Sequence, residues 1–512
     1  MSRRARTPSR GEQVEQLRKK VQQAWKALRE RQRAAGLIPR VGPAMPNSTS
    51  SYTTVEEEMA AREQALTEQL KVIRSQLHIL LRRLAKIEDP RNPKKVKHKM
   101  TVLLVYGILV FVYQMTSRRD ANRTMTRPVF MKNLHELFPE LGELPLPHQD
   151  TLNRLLSQID VTEIEAAHLE LLRRLVRNKK FARYLIAGRF PVAIDGSQKM
   201  VRSDLLSKEW LERQVGNGKE KQAQYFVYVA EASLAFSNGM TIPLLSEFLD
   251  YAEGDTSNNK QDCEQRAFRR LVAKLMQEFP RLSFMLLLDG LFANGPVMAL
   301  CREKNLDFMI VLQDRSLPSV WEEFNSLIKL ETKNRLDRTW GDRRQVFEWV
   351  NGIVYAYGPN QKRRQKVHVV VCQEEWETVD AKVGEIVTKT SRHAWLSSRP
   401  LNKGNVHERC NLGARHRWGI ETGFLVEKHH GYQYEHCFSH NWNGMRGYHY
   451  LMRLGHLFNV LAEYSASLVR TVVELGRRGF IRFVRETIAG PWVDADRIHS
   501  RLDGSALQLR LM

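Results

Sequence analysis

Cysteines are few in this chain, and their spacing excludes the usual cysteine-built sites. Five cysteines are spread over 512 residues, and no two of them form a Cys-x-x-Cys pair. This spacing indicates neither a zinc knuckle nor a disulfide framework. One group lies close together in the sequence and is an alternative metal site, although a basic surface explains it equally well: His429, His430, His436 and Cys437.

The chain also lacks a long apolar run and a secretory signal. Its longest apolar run, Val102 to Val112, is far shorter than the roughly 20 residues needed to cross a bilayer. We therefore expect a buried helix there and no membrane partner. The first residues are charged and contain no apolar segment typical of a signal peptide. Together these features predict a cytoplasmic protein.

Acidic residues are outnumbered by basic ones. The chain has 80 Lys and Arg against 57 Asp and Glu, a formal net charge of +23. Such an excess attracts polyanions, and nucleic acid is the usual partner, although a merely soluble basic protein is the alternative. The basic residues form two clusters: Arg3, Arg4, Arg6, Arg10, Arg18, Lys19 and Lys20, and then Arg91, Lys94, Lys95, Lys97 and Lys99.

Two apolar stripes predict helices near the N-terminus. One runs from Val14 to Leu28, and the other keeps a heptad spacing from Leu66 to Ile87. Thr53 with Glu56 predicts a capping box at the start of the second helix. The stripes could fold on each other as an antiparallel hairpin, or the second could join two copies of the chain. The pattern leaves both alternatives open.

Farther along the chain, apolar runs alternate with helical patterns. Two of the runs are predicted strands that end on an aspartate, Asp195 and Asp289. Ser237, Asn238 and Gly239 predict a hairpin turn, and Asn294 to Pro296 should open a helix. The predicted strands are 192–194, 224–236, 240–248, 284–288 and 308–312, with a helix over 260–277 and a helical tail over 445–478.

A glutamate near residue 420 has cations at helical spacings. Arg417 lies four residues before Glu421 and Lys428 lies seven after it, which places the three side chains on one helix face. Arg417 and Glu421 could be an ordinary surface ion pair. A carboxylate flanked by two cations also suits a site that holds divalent metal and phosphate together.

Two strand-end aspartates followed by Arg-x3-Glu-x6-Lys resemble the DDE transposases of bacterial insertion sequences. The resemblance runs from about Asp89 to about Val473. It implies an α/β fold with an RNase H-like mixed-sheet catalytic core, interrupted by a β-rich insertion and preceded by an N-terminal helical region. Ala414 stands where the family signature has a tyrosine.

The resemblance also implies a division of the chain. The runs VFEWV, IVYAYG and VHVVVC read as strands of the insertion. The expected regions are a basic helical or coiled-coil region over 1–88, a helical DNA-binding segment over 89–185, the catalytic core over 186–316 and 392–478, the insertion over 317–391, and a C-terminal tail over 479–512.

The chemistry implied by the resemblance is two-metal catalysis on phosphodiesters. Asp195, Asp289 and Glu421 would be catalytic and would hold two Mg²⁺ ions, for which Mn²⁺ can substitute. Arg417 and Lys428 would bind DNA phosphates. Trp395 could stack on an unpaired base, although a buried core tryptophan is the alternative.

The implied function is DNA cleavage and strand transfer at the ends of a mobile element. The expected partner is double-stranded DNA, both terminal inverted repeats and target, bound by a homodimer in a bacterial, nucleoid-associated setting. One alternative is a nuclease limited to hydrolysis. Another is a catalytically inactive DNA-binding protein derived from a transposase.

Overall fold

A computed structural model describes residues 9–38, 50–216, 221–249, 264–504 and 507–512. The chain divides into two compact units. The first unit comprises Met1–Ala44 and Leu288–Ala414, and the second comprises Met45–Leu287 and Arg415–Met512.

Runs of helices and runs of strands follow one another along the chain. The α-helices of the described residues are α1 (Arg10–Ala34), α2 (Val55–Leu84), α3 (Met100–Val112), α4 (Arg118–Met125), α5 (Pro128–Leu137), α6 (Gln149–Leu156), α7 (Thr162–Arg177), α8 (Glu264–Glu278), α9 (Gly295–Glu303), α10 (Pro318–Leu327), α11 (Trp418–His429), α12 (Trp442–Glu463), α13 (Val469–Leu475), α14 (Arg477–Ala489) and α15 (Ala495–Asp503). The strands are β1 (Phe190–Arg202), β2 (Leu211–Val215), β3 (Gln222–Ala235), β4 (Thr241–Phe248), β5 (Phe284–Leu288), β6 (Asp307–Val311), β7 (Arg335–Trp340), β8 (Arg343–Tyr357), β9 (Arg363–Asp380) and β10 (Glu385–Ser397).

The second unit contains a mixed sheet around β1 and β3. Strand β3 pairs antiparallel with β1, β2 and β4, while β1 pairs parallel with β5 up to Ala193 and Leu287. The predicted hairpin turn is confirmed, because Gly239 has φ 86° and its N–H donates to the Phe236 carbonyl at 3.0 Å. The mixed α/β character is thus confirmed, while the RNase H-like identity of the core stays a prediction.

The predicted end of β1 is wrong. The strand continues seven residues past Asp195 to Arg202, because its antiparallel ladder with β3 extends beyond the short parallel pairing with β5. Asp195 therefore lies inside a strand. By contrast, β5 ends at Leu288, directly before Asp289, as predicted. The predicted start of the helix over 260–277 lies outside the described residues, and α8 is described from Glu264.

The heptad stripe of α2 is covered by the chain itself. Its apolar residues from Leu66 to Ile87 are at most 6% exposed, and α2 contacts α7, α12, α14 and α15 of the same unit. A coiled coil between two copies through this stripe is therefore wrong. The cap also differs by one residue, since the Thr54 side chain accepts from the Glu57 N–H at 3.1 Å.

The predicted apolar helix is confirmed as α3. Every residue from Val102 to Val112 is buried, and α3 packs against α12 and α6. Within the ranges that the structure describes, no helix is both long and apolar enough to cross a membrane.

The first unit contains an antiparallel sheet in the order β6-β10-β9-β8-β7. Helix α1 contacts β9 and β10. Two surface ion pairs hold it there, Arg31 with Glu377 at 2.5 Å and Lys20 with Glu385 at 3.0 Å. Of the apolar stripe predicted on α1, Leu28 is buried, but Val14 stays 45% exposed. The stripe is therefore not buried along its whole length, as the predicted pairings require.

The predicted insertion strands are present, with one correction. VFEWV and IVYAYG belong to a single strand, β8, whose register with β9 shifts between Asn351 and Ile353. Gly352 has φ 86° at this bulge, a conformation that glycine adopts without strain. Strand β10 then pairs with both β9 and β6, so these strands extend the sheet of β6.

Candidate active site

Asp195 occupies a partly exposed position on β1. Its side chain is 22% exposed, and its Oδ1 accepts from the Gly196 N–H at 2.8 Å. Glu231 on β3 lies directly opposite in the antiparallel register. Directly opposite residues project to the same face of a sheet, so the strand pair presents two carboxylates on one face.

Arg417 brings Asp195 together with Glu421. Its Nη2 donates to Glu421 Oε1 at 2.7 Å, and its Nη1 lies 3.6 Å from Asp195 Oδ2. The two carboxylates are 226 positions apart in the chain. The predicted proximity of Arg417 and Glu421 is confirmed. The guanidinium of Arg417 also contacts Asp195, so it joins the two predicted carboxylates that lie in this unit.

The charge of Arg417 is used inside the protein. The side chain is 9% exposed, and both contacted groups are carboxylates. An arginine fork suits such paired contact because its N–H groups diverge in a plane. The predicted role of Arg417 in binding DNA phosphate stays a prediction.

Glycine lets α11 approach the hairpin of β3 and β4. A Cβ added to Gly419 would lie 2.8 Å from Thr241 Oγ1 and 3.3 Å from the Cβ of Ala235. One turn later, a Cβ on Gly423 would stand 3.6 Å from Thr241 Cγ2, an ordinary contact. The helix that carries Glu421 therefore rests closely on the sheet at its first turn.

Lys428 is paired at the far end of α11. Its Nζ lies 3.0 Å from Glu435 Oε1, and it stands 5.8 Å from the centre of the Tyr434 ring. The side chain is 21% exposed. A phosphate would compete with Glu435 for this ammonium group, so the predicted DNA contact stays a prediction.

Asp289 belongs to the first unit and caps a short turn. Its Oδ1 accepts from the Leu291 N–H at 2.9 Å, at the start of a 3-10 turn over Gly290–Phe292. The side chain of Gln313 covers Gly290. One carboxylate oxygen of Asp289 thus has a structural role, and its catalytic assignment stays a prediction.

Trp395 lies in the core of the first unit. It is 4% exposed, pairs with Val311 across β10 and β6, and stacks on His393 with ring centres 5.7 Å apart. Trp395 is therefore a buried core residue, and its predicted stacking on a DNA base is wrong.

Ala414, at the position of the family tyrosine, is 3% exposed and follows a π-helical turn over Glu408–Gly413.

A buried ionic group in the second unit was not predicted. Arg453 of α12 contacts Glu231 and lies 3.2 Å from Glu427 Oε1 on α11. His456 Nδ1 is 2.6 Å from the same Glu427 oxygen, and the Tyr434 hydroxyl donates to Glu231 at 3.0 Å. Glu231 and Glu427 are 0% and 1% exposed. Removing one partner of such a buried pair costs on the order of 3–5 kcal/mol.

Burial and charge move the two buried carboxyls in opposite directions. Burial raises the pKa of Glu231 to about 7, against the attraction of Arg453. Burial acts the same way on Glu427, but the Arg453 charge and the His456 hydrogen bond outweigh it and lower its pKa. Because the two carboxyls share one arginine, protons leave them as a coupled pair.

The alternative metal site at His429, His430, His436 and Cys437 gains no support. In the described ranges, no group of three or more His, Cys, Asp or Glu side chains is placed to hold a metal ion. Burial lowers the pKa of His436, and the same effect raises the pKa of the Cys437 thiol. The thiol donates to the Ser439 carbonyl.

Comparison with protein families adds one match. Residues 81–172 match the family model described as DDE_Tnp_1-associated. This segment runs from the end of α2 into α7, and it overlaps the helical segment predicted over 89–185. A search of curated proteins finds no match to the chain. The match supports a protein related to the DDE-type transposases.

Proposed function

We propose that this chain is a transposase that cuts DNA and joins the ends to a target. The single observation that carries the proposal is the Arg417 guanidinium between Asp195 and Glu421. These are the first and last carboxylates of the predicted signature, and they come from different secondary-structure elements. The family match over 81–172 supports the same class of protein.

Asp289 is the third carboxylate of the predicted signature. It belongs to the first unit and directly follows β5, which ends at Leu288. Its assignment as a metal ligand rests on the resemblance of the whole signature.

The donor chemistry of the predicted carboxylates suits magnesium, while among the described residues no three such side chains are already gathered around one point. Asp195 and Glu421 offer partly exposed carboxylate oxygens, the ligands that Mg²⁺ prefers, and Mg²⁺ keeps several of its own waters. Asp195, Asp289 and Glu421 would hold the ions, with Mn²⁺ as a substitute. Bound there, the metal would activate an oxygen nucleophile and stabilise the leaving oxygen.

The protein's own side chains would prepare this site. Arg417 holds Asp195 and Glu421 near each other, and its guanidinium would move from between them toward a DNA phosphate when a metal binds both carboxylates. Lys428, at the end of the same helix, would exchange Glu435 for a DNA phosphate. Both cations would then neutralise charge beside the reacting phosphodiester.

A basic arm in the first unit is a candidate DNA contact. We define it as residues 353–366, where β8 turns into β9. It contains no acidic residue, and its Tyr355 and Tyr357 rings stack 5.9 Å apart. A two-stranded ribbon of this kind can enter a major groove or follow a phosphate backbone. Its exposed cations are Lys362, Arg363, Arg364 and Lys366.

The proposal is tested on the DNA that borders the gene. Labelled fragments from both sides, with Mg²⁺ and a target plasmid, should be cut and joined by the wild-type protein. Asp195→Asn should bind the fragments and neither cut nor join them. Cutting without joining would assign a nuclease instead, and binding without cutting by the wild-type protein would assign an inactive DNA-binding protein.

A further inference from the structure

The buried Arg453 links a strand of the sheet to α11. It contacts Glu231 on β3 and lies 3.2 Å from Glu427 on α11, and His456 supports Glu427 from the same side at 2.6 Å. Arg453 itself is 5% exposed and comes from α12. Three separate elements therefore meet at one guanidinium.

This link lies beside the one through Arg417. Arg417 joins β1 to α11, and Arg453 joins the neighbouring strand β3 to the same helix. Glu231 lies directly opposite Asp195 on the neighbouring strand. Glu427 follows Glu421 by six residues on α11, an axial rise of about 9 Å. One arginine thus holds the helix near its start, and Arg453 holds it near its end.

We propose that Arg453 is a positioning residue that fixes Glu421 relative to Asp195. The inference rests on the proposed function and deepens it. The first turn of α11 packs on the sheet at Gly419. This contact limits how closely the helix approaches the sheet, but it does not fix the orientation of the helix. The directional contacts come from the two arginines. Arg417 uses both of its terminal nitrogens, whereas Arg453 contacts both of its carboxylates through Nη1, and burial in a low dielectric strengthens the contacts of Arg453.

The test uses Arg453→Lys in the full chain. Lysine keeps the charge, but its ammonium nitrogen ends one bond short of the Nη1 atom through which Arg453 contacts both Glu231 and Glu427, so the link should weaken. The matched control is Arg62→Lys. Arg62 is also a mostly buried arginine of the second unit, and it joins Glu58 to the Phe483 carbonyl without bonding α11.

Hydrogen exchange of the α11 amides is the first measurement. The expected result for Arg453→Lys is exchange at least roughly tenfold faster over 418–429, with α6 unchanged. Arg62→Lys should leave α11 as in the wild type. Equally faster exchange in α6 and α11 would show a general loss of stability and overturn the positioning role.

Binding of Mn²⁺ alone to the DNA-free protein, followed by electron paramagnetic resonance, is the second measurement. Arg453→Lys should weaken this binding roughly tenfold and lower kcat for DNA cleavage with little change in KM. Unchanged Mn²⁺ affinity and unchanged α11 exchange would overturn the inference. A wild-type protein that neither binds Mn²⁺ nor cuts DNA would refute the proposed function, while the exchange experiment would still decide the role of Arg453.

A second variant covers the case in which Arg453→Lys does not fold. Glu427→Gln keeps the side-chain volume and leaves the contact between Arg453 and Glu231 in place. It removes the charge on the α11 side of the link only. The same local increase in exchange over 418–429 is expected, and its absence would count against the inference.

Discussion

Asp195 and Glu231 face each other on neighbouring antiparallel strands, yet each carboxylate has its own arginine. Arg417 approaches Asp195 at 3.6 Å, and Arg453 contacts Glu231. Like charges directly opposite on a sheet destabilise it. The two arginines offset this cost, so the strand pair keeps one carboxylate partly exposed and the other buried.

Replacing the third predicted carboxylate should separate cutting from binding. Asp289→Asn keeps the oxygen that accepts from the Leu291 N–H, so the turn should survive. Because one metal-holding charge is lost, we expect DNA cleavage to fall at least roughly a thousandfold while binding changes less than about twofold. Single-turnover cleavage and gel-shift titrations measure the two. The control is Asp314→Asn, an exposed aspartate of the same unit paired with Arg392.

The pairing of Lys428 predicts that removal of its partner strengthens DNA binding. Glu435→Gln frees the ammonium group for a phosphate, whereas Lys428→Gln removes the cation. Because the wild-type protein would already exchange Glu435 for the phosphate, Glu435→Gln should lower Kd at a fixed salt concentration, and the slope of log Kd against log salt should become shallower by about one in Lys428→Gln only. Equal slopes in both variants and the wild type would show that Lys428 does not contact DNA.

The basic arm should contribute to affinity without reading sequence. Replacing Arg363 and Arg364 by glutamine should weaken binding of all DNA fragments alike and reduce the salt slope by about two. The control replaces Arg470 and Arg482, exposed cations on α13 and α14, in the same way. An arm variant that binds like this control would remove residues 353–366 from the DNA surface.

The contact between Arg417 and Glu421 can be predicted from the sequence, because helical spacing alone determines it. Arg417 and Glu421 are four residues apart, and their contact follows from 3.6 residues per turn. The strand limit at Asp195 was misplaced, because an antiparallel ladder with β3 prolongs β1 and such long-range pairing leaves no local signal.

The buried ionic group was missed for a related reason. Glu231 interrupts an otherwise apolar stretch of β3, and a buried acid requires a compensating partner. That signal indicates a partner but does not identify Arg453, which is 222 positions away.

The stripe of α2 is apolar, as predicted. The sequence pattern alone does not show that helices of the same chain cover this stripe.

The raised pKa of Glu231 predicts that the contribution of this residue to the free energy of unfolding falls as the pH rises. The folded chain holds this proton up to about pH 7, while the unfolded chain releases it near 4.5. The contribution of Glu231 to the free energy of unfolding therefore has its full value below about pH 4.5, and it is lost as the pH rises to 7. It is on the order of 3 kcal/mol at most.

Glu231→Gln isolates this component, because glutamine does not titrate. The stability of the variant relative to the wild type should rise between pH 5 and pH 8, as measured by urea unfolding at each pH. Residues that titrate independently of Glu231 cancel in this difference, whereas Glu427, which shares Arg453 with Glu231, contributes through their coupling. A difference that stays constant or falls with pH would contradict the raised pKa of Glu231.

The close approach of α11 to the sheet predicts opposite effects of alanine at two glycines one turn apart. Gly419→Ala places a methyl group 2.8 Å from Thr241 Oγ1 and 3.3 Å from Ala235 Cβ, so α11 must shift and cleavage should fall with stability. Gly423→Ala meets only an ordinary contact at 3.6 Å, and it should gain up to about 1 kcal/mol of helix propensity. Thermal unfolding and cleavage rates measure both. Adding Thr241→Ala should partly restore the Gly419→Ala variant, and a failure to do so would place the strain at Ala235.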